Sequence, residues 1–123
     1  MTQASVEHRQ FHRVPFQAPA VLTSDCQKWR TEIIDLSLKG VLLNVPQNWK
    51  GDIGDLFQLE MNLSEEVGIN MEIKLVHKQR QTMGFHCSHI DLESMTILRR
   101  IVELNLGDTS LLDRDIAALG HDA

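Results

Sequence analysis

The feature that most constrains the fold is a regular alternation of apolar and polar residues in two neighbouring segments. In LFQLEMNL, residues 56–63, every second residue is apolar: Phe57, Leu59, Met61 and Leu63. VGINMEIKLVH, residues 67–77, repeats the pattern with Val67, Ile69, Met71, Ile73 and Leu75. A two-residue period places one face of a strand against a core and the other face in solvent. Because only the short SEEVG connection separates the two segments, they predict an antiparallel hairpin.

Further strands and helices are indicated on both sides of this hairpin. Weaker strand patterns lie at about 18–23, 28–36, 40–45 and 82–90, and PQNWKGDIGD, residues 46–55, is typical of a loop. After Asp91 the apolar spacing changes to three and four residues, which predicts an amphipathic helix that ends at Gly107. A second helix is predicted over about 110–119. Six strands followed by helices favour a small antiparallel β-barrel or sandwich with a helical lid.

The composition is that of one small globular domain. The chain has 123 residues, of which 42% are hydrophobic and 24% charged. Its net charge of −5 argues against unspecific binding to DNA or RNA, which needs a basic surface. No apolar run approaches the roughly 18 residues that span a bilayer. The N-terminal sequence MTQASVEH is unlike a signal peptide, so we expect the protein in the cytoplasm and not inserted in a membrane. We also expect a monomer.

A basic cluster near the N-terminus stands out in this acidic chain. His8, Arg9, His12 and Arg13 fall within six residues, and Pro15 follows them. The surrounding residues 1–14 hold few apolar side chains, which predicts a mobile arm in front of a barrel over residues 15–91. Two arginines four positions apart can bind an anion, although such a pair is more often only a solvated one.

A second cluster lies in DLSLKG, residues 35–40, between two predicted strands. In an extended segment Asp35 and Ser37 project on the same side, and Gly40 lets the chain turn or approach a ligand. A carboxylate beside a hydroxyl can accept hydrogen bonds from N1–H and the exocyclic amine of guanine. Arginine can donate two parallel hydrogen bonds to guanine O6 and N7 or to phosphate oxygens. DxSxxG alone is often a turn that bonds its own backbone. Both clusters in this order should occur by chance in roughly one chain in a hundred.

These two motifs, RQFHR at 9–13 and DLSLKG at 35–40, resemble the RxxxR and [D/N]xSxxG signatures of the PilZ domain family. The resemblance implies a six-stranded PilZ-type barrel that acts as a receptor for cyclic di-GMP. It implies that Arg9 and Arg13 hold phosphates and guanine from the arm, and that Asp35 and Ser37 recognise the other guanine. Gly40 would shape the turn. A chain this short would have to pass the signal to an effector protein.

Two histidines extend the site that the resemblance implies. His77 falls near the end of the fifth strand, where relatives often have an aromatic residue that stacks on a purine. Strict alternation, however, places His77 on the face of Ile73 and Leu75, where a partly buried core histidine is equally expected. His8 stands where some family members carry arginine and bind a stacked ligand dimer, so one or two nucleotides per chain remain open.

Other function classes have weaker support in the sequence. A PilZ-like adaptor that recruits proteins without nucleotide is the main alternative. HCSH, residues 86–89, contains metal-ligand types, but a strand turns His86 away from Cys87 and His89. We discern no nucleophile with a base beside it. We therefore expect no catalytic residue, no metal and no cofactor.

Overall fold

The computed structural model describes residues 12–106, which form six antiparallel strands and one helix. The elements are β1 (Val14–Ser24), β2 (Gln27–Leu36), β3 (Gly40–Asn44), β4 (Leu56–Asn62), β5 (Gly68–Lys78), β6 (Thr82–Ile90) and α1 (Leu92–Leu106). The six predicted strands and the first predicted helix are confirmed. The second predicted helix, about 110–119, lies outside the described residues.

The strands close into a barrel in the order β1-β2-β3-β6-β5-β4. β1 pairs with β4 through residues 20–23 and 58–61, and this pairing closes the sheet. The architecture is thus a barrel and not a sandwich. Because a closed sheet has one inner face, the alternating apolar residues of β4 and β5 meet there: Phe57, Leu59, Met61, Ile69, Met71, Ile73 and Leu75 are all buried.

The predicted start of two strands needs correction. Val67 was expected on the inner face, but β5 begins at Gly68 and Val67 is 41% exposed in the turn before it. Val14 was assigned to the arm, but β1 begins there, pairs with Leu36 and buries Val14 to 2% exposure. Val14 is therefore a core residue of β1 and not part of the arm. The register of β1 shifts between Pro15 and Ala18.

One end of the barrel is filled by aromatic side chains. The rings of Trp29 in β2 and Trp49 in the 45–55 loop lie 4.7 Å apart, and Trp49 lies 5.0 Å from Phe57. The Trp29 indole N–H also donates to the Asn48 carbonyl at 3.2 Å. The two tryptophans thus serve packing, and they anchor the long loop to the core.

α1 packs across the strands at the other end, with Leu98 and Val102 in the core. Its first turn is fixed by two hydrogen bonds. The Asp91 carboxylate accepts from the Ser94 amide at 3.0 Å, as in a typical N-cap, and the Ser94 hydroxyl accepts from the Asn70 amide at 2.9 Å. In the described part of the chain, no helix has the length and apolarity that crossing a bilayer requires.

Candidate functional site

The two sequence motifs meet at an ion pair on the barrel surface. Arg13 stands directly before β1, and Asp35 lies in β2 opposite Pro15. Arg13 Nη1 donates to Asp35 Oδ1 at 2.6 Å, with the two side chains 51% and 22% exposed. Pairing of β1 with β2 therefore brings an arginine of the first motif onto the carboxylate of the second. Arg9 and His8 lie outside the described residues.

The second motif forms a tight turn between β2 and β3. The Ser37 hydroxyl accepts from the amides of Gly40 at 3.1 Å and Lys39 at 3.2 Å, and the Ser37 amide donates to the Gly40 carbonyl at 3.0 Å. Ser37 is only 5% exposed. The expectation of an extended segment with Asp35 and Ser37 side by side is wrong, because β2 ends at Leu36 and the hydroxyl serves the turn.

Gly40 is required by the close approach of β3 and β6. A Cβ added at Gly40 would lie 2.5 Å from the backbone oxygen of Phe85, closer than real contacts allow. The turn is tied to β6 a second time, since the Cys87 amide donates to the Lys39 carbonyl at 2.7 Å. Gly40 thus lets the motif lie flat against β6, which fixes the position of the turn relative to β2.

His77 lies on the outside of the barrel. The pairing of β5 with β6 shifts between Leu75 and His77, and after this shift His77 is exposed and opposite Gly84. A Cβ at Gly84 would lie only 2.7 Å from His77 Cε1 and 2.9 Å from its Nδ1. The imidazole therefore occupies the space that the glycine leaves. The core position that strict alternation implied for His77 is wrong, because a β-bulge reverses the direction of side chains beyond it.

Strand register aligns His77 with the ion pair. Asp35 pairs with Leu42, Leu42 with Gly84, and Gly84 with His77. Adjacent strands lie about 4.8 Å apart, so this row of residues extends about 15 Å across four strands. We call it the outer row, residues Asp35, Leu42, Gly84 and His77. Arg13 adjoins its first member.

Leu42 and Gly84 were not identified as site residues from the sequence. Leu42 is half-buried between the core residues Val41 and Leu43, so its side chain lies on the outer face. Gly84 likewise lies between buried neighbours. A glycine inside a strand pattern marks a close approach, and MGFH, residues 83–86, carried that signal. No comparable signal distinguished Leu42 from an ordinary strand residue.

The side chains of the candidate site are of types that can bind an anion or a base. The site combines a guanidinium and a carboxylate with an exposed imidazole and the half-buried Leu42. The nearby Cys87 thiol is half-buried; burial raises its pKa, and the charge of Lys39 opposes this only in part. A raised pKa keeps the thiol protonated near neutral pH, where it is a poor nucleophile. Within residues 12–106, no three His, Cys, Asp or Glu side chains are grouped so that they could hold a metal ion.

Comparison with known families gives a match over most of the chain. The family model of the PilZ domain matches residues 7–104. That range contains RQFHR and DLSLKG as well as all six strands.

Solved structures show the same fold at low sequence identity. The Bacillus subtilis inhibitor of motility MotI/DgrA superposes with a TM-score of 0.67 at 16% identity, covering 80% of this chain and 51% of that one. This chain therefore spans about half of that protein. The PilZ domain of Escherichia coli YcgR with c-di-GMP superposes with a TM-score of 0.60 at 18% identity, covering 77% and 88%. The PilZ domain of CeSA from a cellulose-synthesizing bacterium gives 0.56 at 13% identity, covering 78% and 96%.

Proposed function

The chain belongs to the PilZ domain family, and from this assignment we propose that it is a non-enzymatic cytoplasmic receptor for cyclic di-GMP that signals to a partner protein. The observation that carries the proposal is the contact between Arg13 and Asp35, which joins the two family motifs in one place. The related PilZ domain of Escherichia coli YcgR has been solved with c-di-GMP.

The proposed recognition uses opposite charges in complementary ways. Arg13, together with Arg9, binds phosphate oxygens or the O6 and N7 acceptors of guanine, which suit a planar guanidinium. Asp35 accepts from N1–H and the exocyclic amine of guanine. Because Arg13 and Asp35 already contact each other, ligand binding must share or replace that ion pair. An exposed ion pair is worth at most about 1 kcal/mol, so a ligand with two phosphates and two guanines can displace it readily.

The turn and the outer row complete the proposed site. Ser37 and Gly40 contribute by holding the turn beside Asp35, and the Ser37 hydroxyl stays a predicted ligand contact. His77 offers an exposed ring three strands from Asp35 along the outer row, about 15 Å measured along the curved sheet. A purine can stack on an imidazole, although more weakly than on an indole. His8, next to Arg9, would contact a second nucleotide if two bind.

The proposed signal is a rearrangement of the N-terminal arm. A ligand that binds Arg9 and Arg13 draws the chain before β1 onto the surface of the DLSLKG turn. A partner protein then meets a different surface in the bound state. Limited proteolysis after Arg9, with and without nucleotide, tests this step: protection should increase on binding, and equal protection in both states would place the switch elsewhere.

Calorimetric titration of the full chain with cyclic di-GMP tests the proposed function. We expect saturable binding by the parent protein and a loss of at least about tenfold in affinity for Arg13→Ala, since a charge-assisted contact contributes about 1.5–3 kcal/mol. Arg99→Ala is the matched control, because Arg99 is an exposed arginine on α1. Binding that is equally weakened in both variants would mean that only overall charge matters. No heat and no saturation with the parent protein would refute the proposal.

A further inference from the structure

The aromatic end of the barrel carries a concavity that the proposed nucleotide site does not use. It lies between the start of β2 and the loop that follows β3, and it has a volume of about 510 Å³. Its lining comes from these two segments alone: Gln27, Lys28, Trp29, Arg30, Pro46, Gln47, Asn48 and Lys50. We call it the basic concavity.

The charge of this concavity is opposite to that of the chain. Lys28, Arg30 and Lys50 line it, and its lining includes no Asp or Glu, whereas the chain has a net charge of −5. All three cations are exposed. Among the residues that the structure describes, no carboxylate forms an ion pair with any of the three. Their positive charge is therefore available to an anionic group from outside.

The backbone that carries these cations is held to the barrel by ring packing and a hydrogen bond. Lys28 and Arg30 flank Trp29 on β2, and the Trp29 ring is buried against Trp49. The bond from the Trp29 indole N–H to the Asn48 carbonyl fixes the loop beside β2, and Asn48 adopts a left-handed φ of 61° that turns the loop there. Side chains on a fixed backbone lose less entropy on binding than side chains on a mobile loop.

We propose that the basic concavity is a docking site for an acidic segment of a partner protein. Three cations around one hollow suit a short run of carboxylates, which can reach all three from a single extended peptide. A nucleic acid fits less well, because the remainder of an acidic protein would repel a long polyanion.

The concavity is separate from the proposed nucleotide site. Arg30 and Asp35 are five residues apart on β2, which corresponds to about 16 Å of strand. The three cations are therefore not residues of the proposed nucleotide site, and docking there would give the proposed receptor a surface for its partner. The two proposals can fail separately.

The test uses the full chain without nucleotide and a fluorescently labelled octaglutamate peptide with blocked ends. Fluorescence anisotropy should show saturable binding at about 50 mM salt that weakens at about 200 mM, because exposed charges are screened. The triple variant Lys28→Glu, Arg30→Glu, Lys50→Glu should lose at least about tenfold in affinity. The triple variant with Gln at the same three positions should lose less affinity for the peptide, because it removes the positive charges without adding negative ones.

The matched control reverses three exposed cations elsewhere, Lys74→Glu, Arg99→Glu and Arg100→Glu. It has the same net charge as the first variant and should bind the peptide within about twofold of the parent. An equal loss in both triples, or no binding by the parent, would overturn the proposal. So would a DNA oligonucleotide that binds as tightly as the peptide and loses affinity in the same variant. Melting temperatures confirm that the variants are folded, and the cyclic di-GMP affinity of the first triple should match that of the control triple, which has the same net charge.

Discussion

The Arg13 guanidinium lies 2.6 Å from the Asp35 carboxylate, so residues 22 positions apart in sequence form one ion pair on the barrel surface. β1 and β2 bring them together, because Pro15 pairs with Asp35 and Arg13 stands just before β1. The PilZ resemblance implied that Arg13 binds the ligand and that Asp35 recognises guanine. In the structure these two residues already bind each other. Under the proposed function, this ion pair is a contact that the nucleotide takes over.

Arg13→Ala should weaken cyclic di-GMP binding while leaving stability almost unchanged. The ion pair is largely exposed, and such pairs contribute about 0–1 kcal/mol to folding. Arg13→Lys should not restore affinity, since lysine lacks the planar fork. Calorimetry gives the affinity and thermal unfolding gives the stability. If Arg13→Lys bound like the parent, a point charge would suffice and the bidentate role would be wrong.

His77→Trp should tighten nucleotide binding and His77→Ala should loosen it, because an indole stacks on a purine more strongly than an imidazole does. His77 is exposed, so neither change should alter the free energy of unfolding by more than about 0.5 kcal/mol. Gly84→Ala provides a second test. Its Cβ would meet the His77 ring and push it outward, which should also lower affinity. Unchanged affinity in all three variants would remove His77 from the site.

Gly40→Ala should destabilise the fold as well as the site. The added Cβ meets the Phe85 carbonyl, which belongs to a strand and cannot move aside cheaply. Overpacking of this kind costs about 1–3 kcal/mol, which chemical denaturation would measure. Gly54→Ala, where the structure leaves open space, is a control for the volume of the methyl group, although its φ of 98° adds backbone strain of its own. A Gly40→Ala variant as stable as the parent would contradict the close approach of β3 and β6.

Much of the fold could be predicted from the sequence because burial sets the alternation of strands. The inner residues of β4 and β5 lie where their two-residue period places them, from Phe57 to Leu75. The period fails just after Leu75, where a bulge turns His77 outward. A bulge depends on how a strand pairs with another strand, in this case with Gly84 of β6. The local spacing of apolar residues does not predict that pairing.

The candidate site was predictable as a set of residue types more than as a geometry. Asp35 and Gly40 were identified from their motif, but the roles of the side chains depend on where β2 ends. Since it ends at Leu36, the Ser37 hydroxyl bonds the turn, as the alternative interpretation of DxSxxG had it. The contact between Arg13 and Asp35 follows from strand pairing, which spacing along the chain does not reveal.

The pH dependence of stability should show a contribution from Asp91. The amide of Ser94 donates to its carboxylate and lowers its pKa. A lowered folded-state pKa stabilises the protein above the unfolded value, and this stabilisation is lost as pH falls through the folded value. Asp91→Asn keeps an acceptor oxygen but does not titrate. The parent should therefore exceed Asp91→Asn in melting temperature by more near pH 7 than at about pH 2. An equal difference at both pH values would contradict the assignment.

The most direct test of the central claim is a pair of calorimetric titrations of the parent protein, one with cyclic di-GMP and one with cyclic di-AMP. Asp35 and the arginines match the donors and acceptors of guanine, whereas adenine leaves them unpaired at about 1–3 kcal/mol for each lost partner. We predict saturable binding of cyclic di-GMP and at least about tenfold weaker binding of cyclic di-AMP. Equal affinity for the two nucleotides would contradict guanine recognition, and no binding of cyclic di-GMP would contradict the receptor function itself.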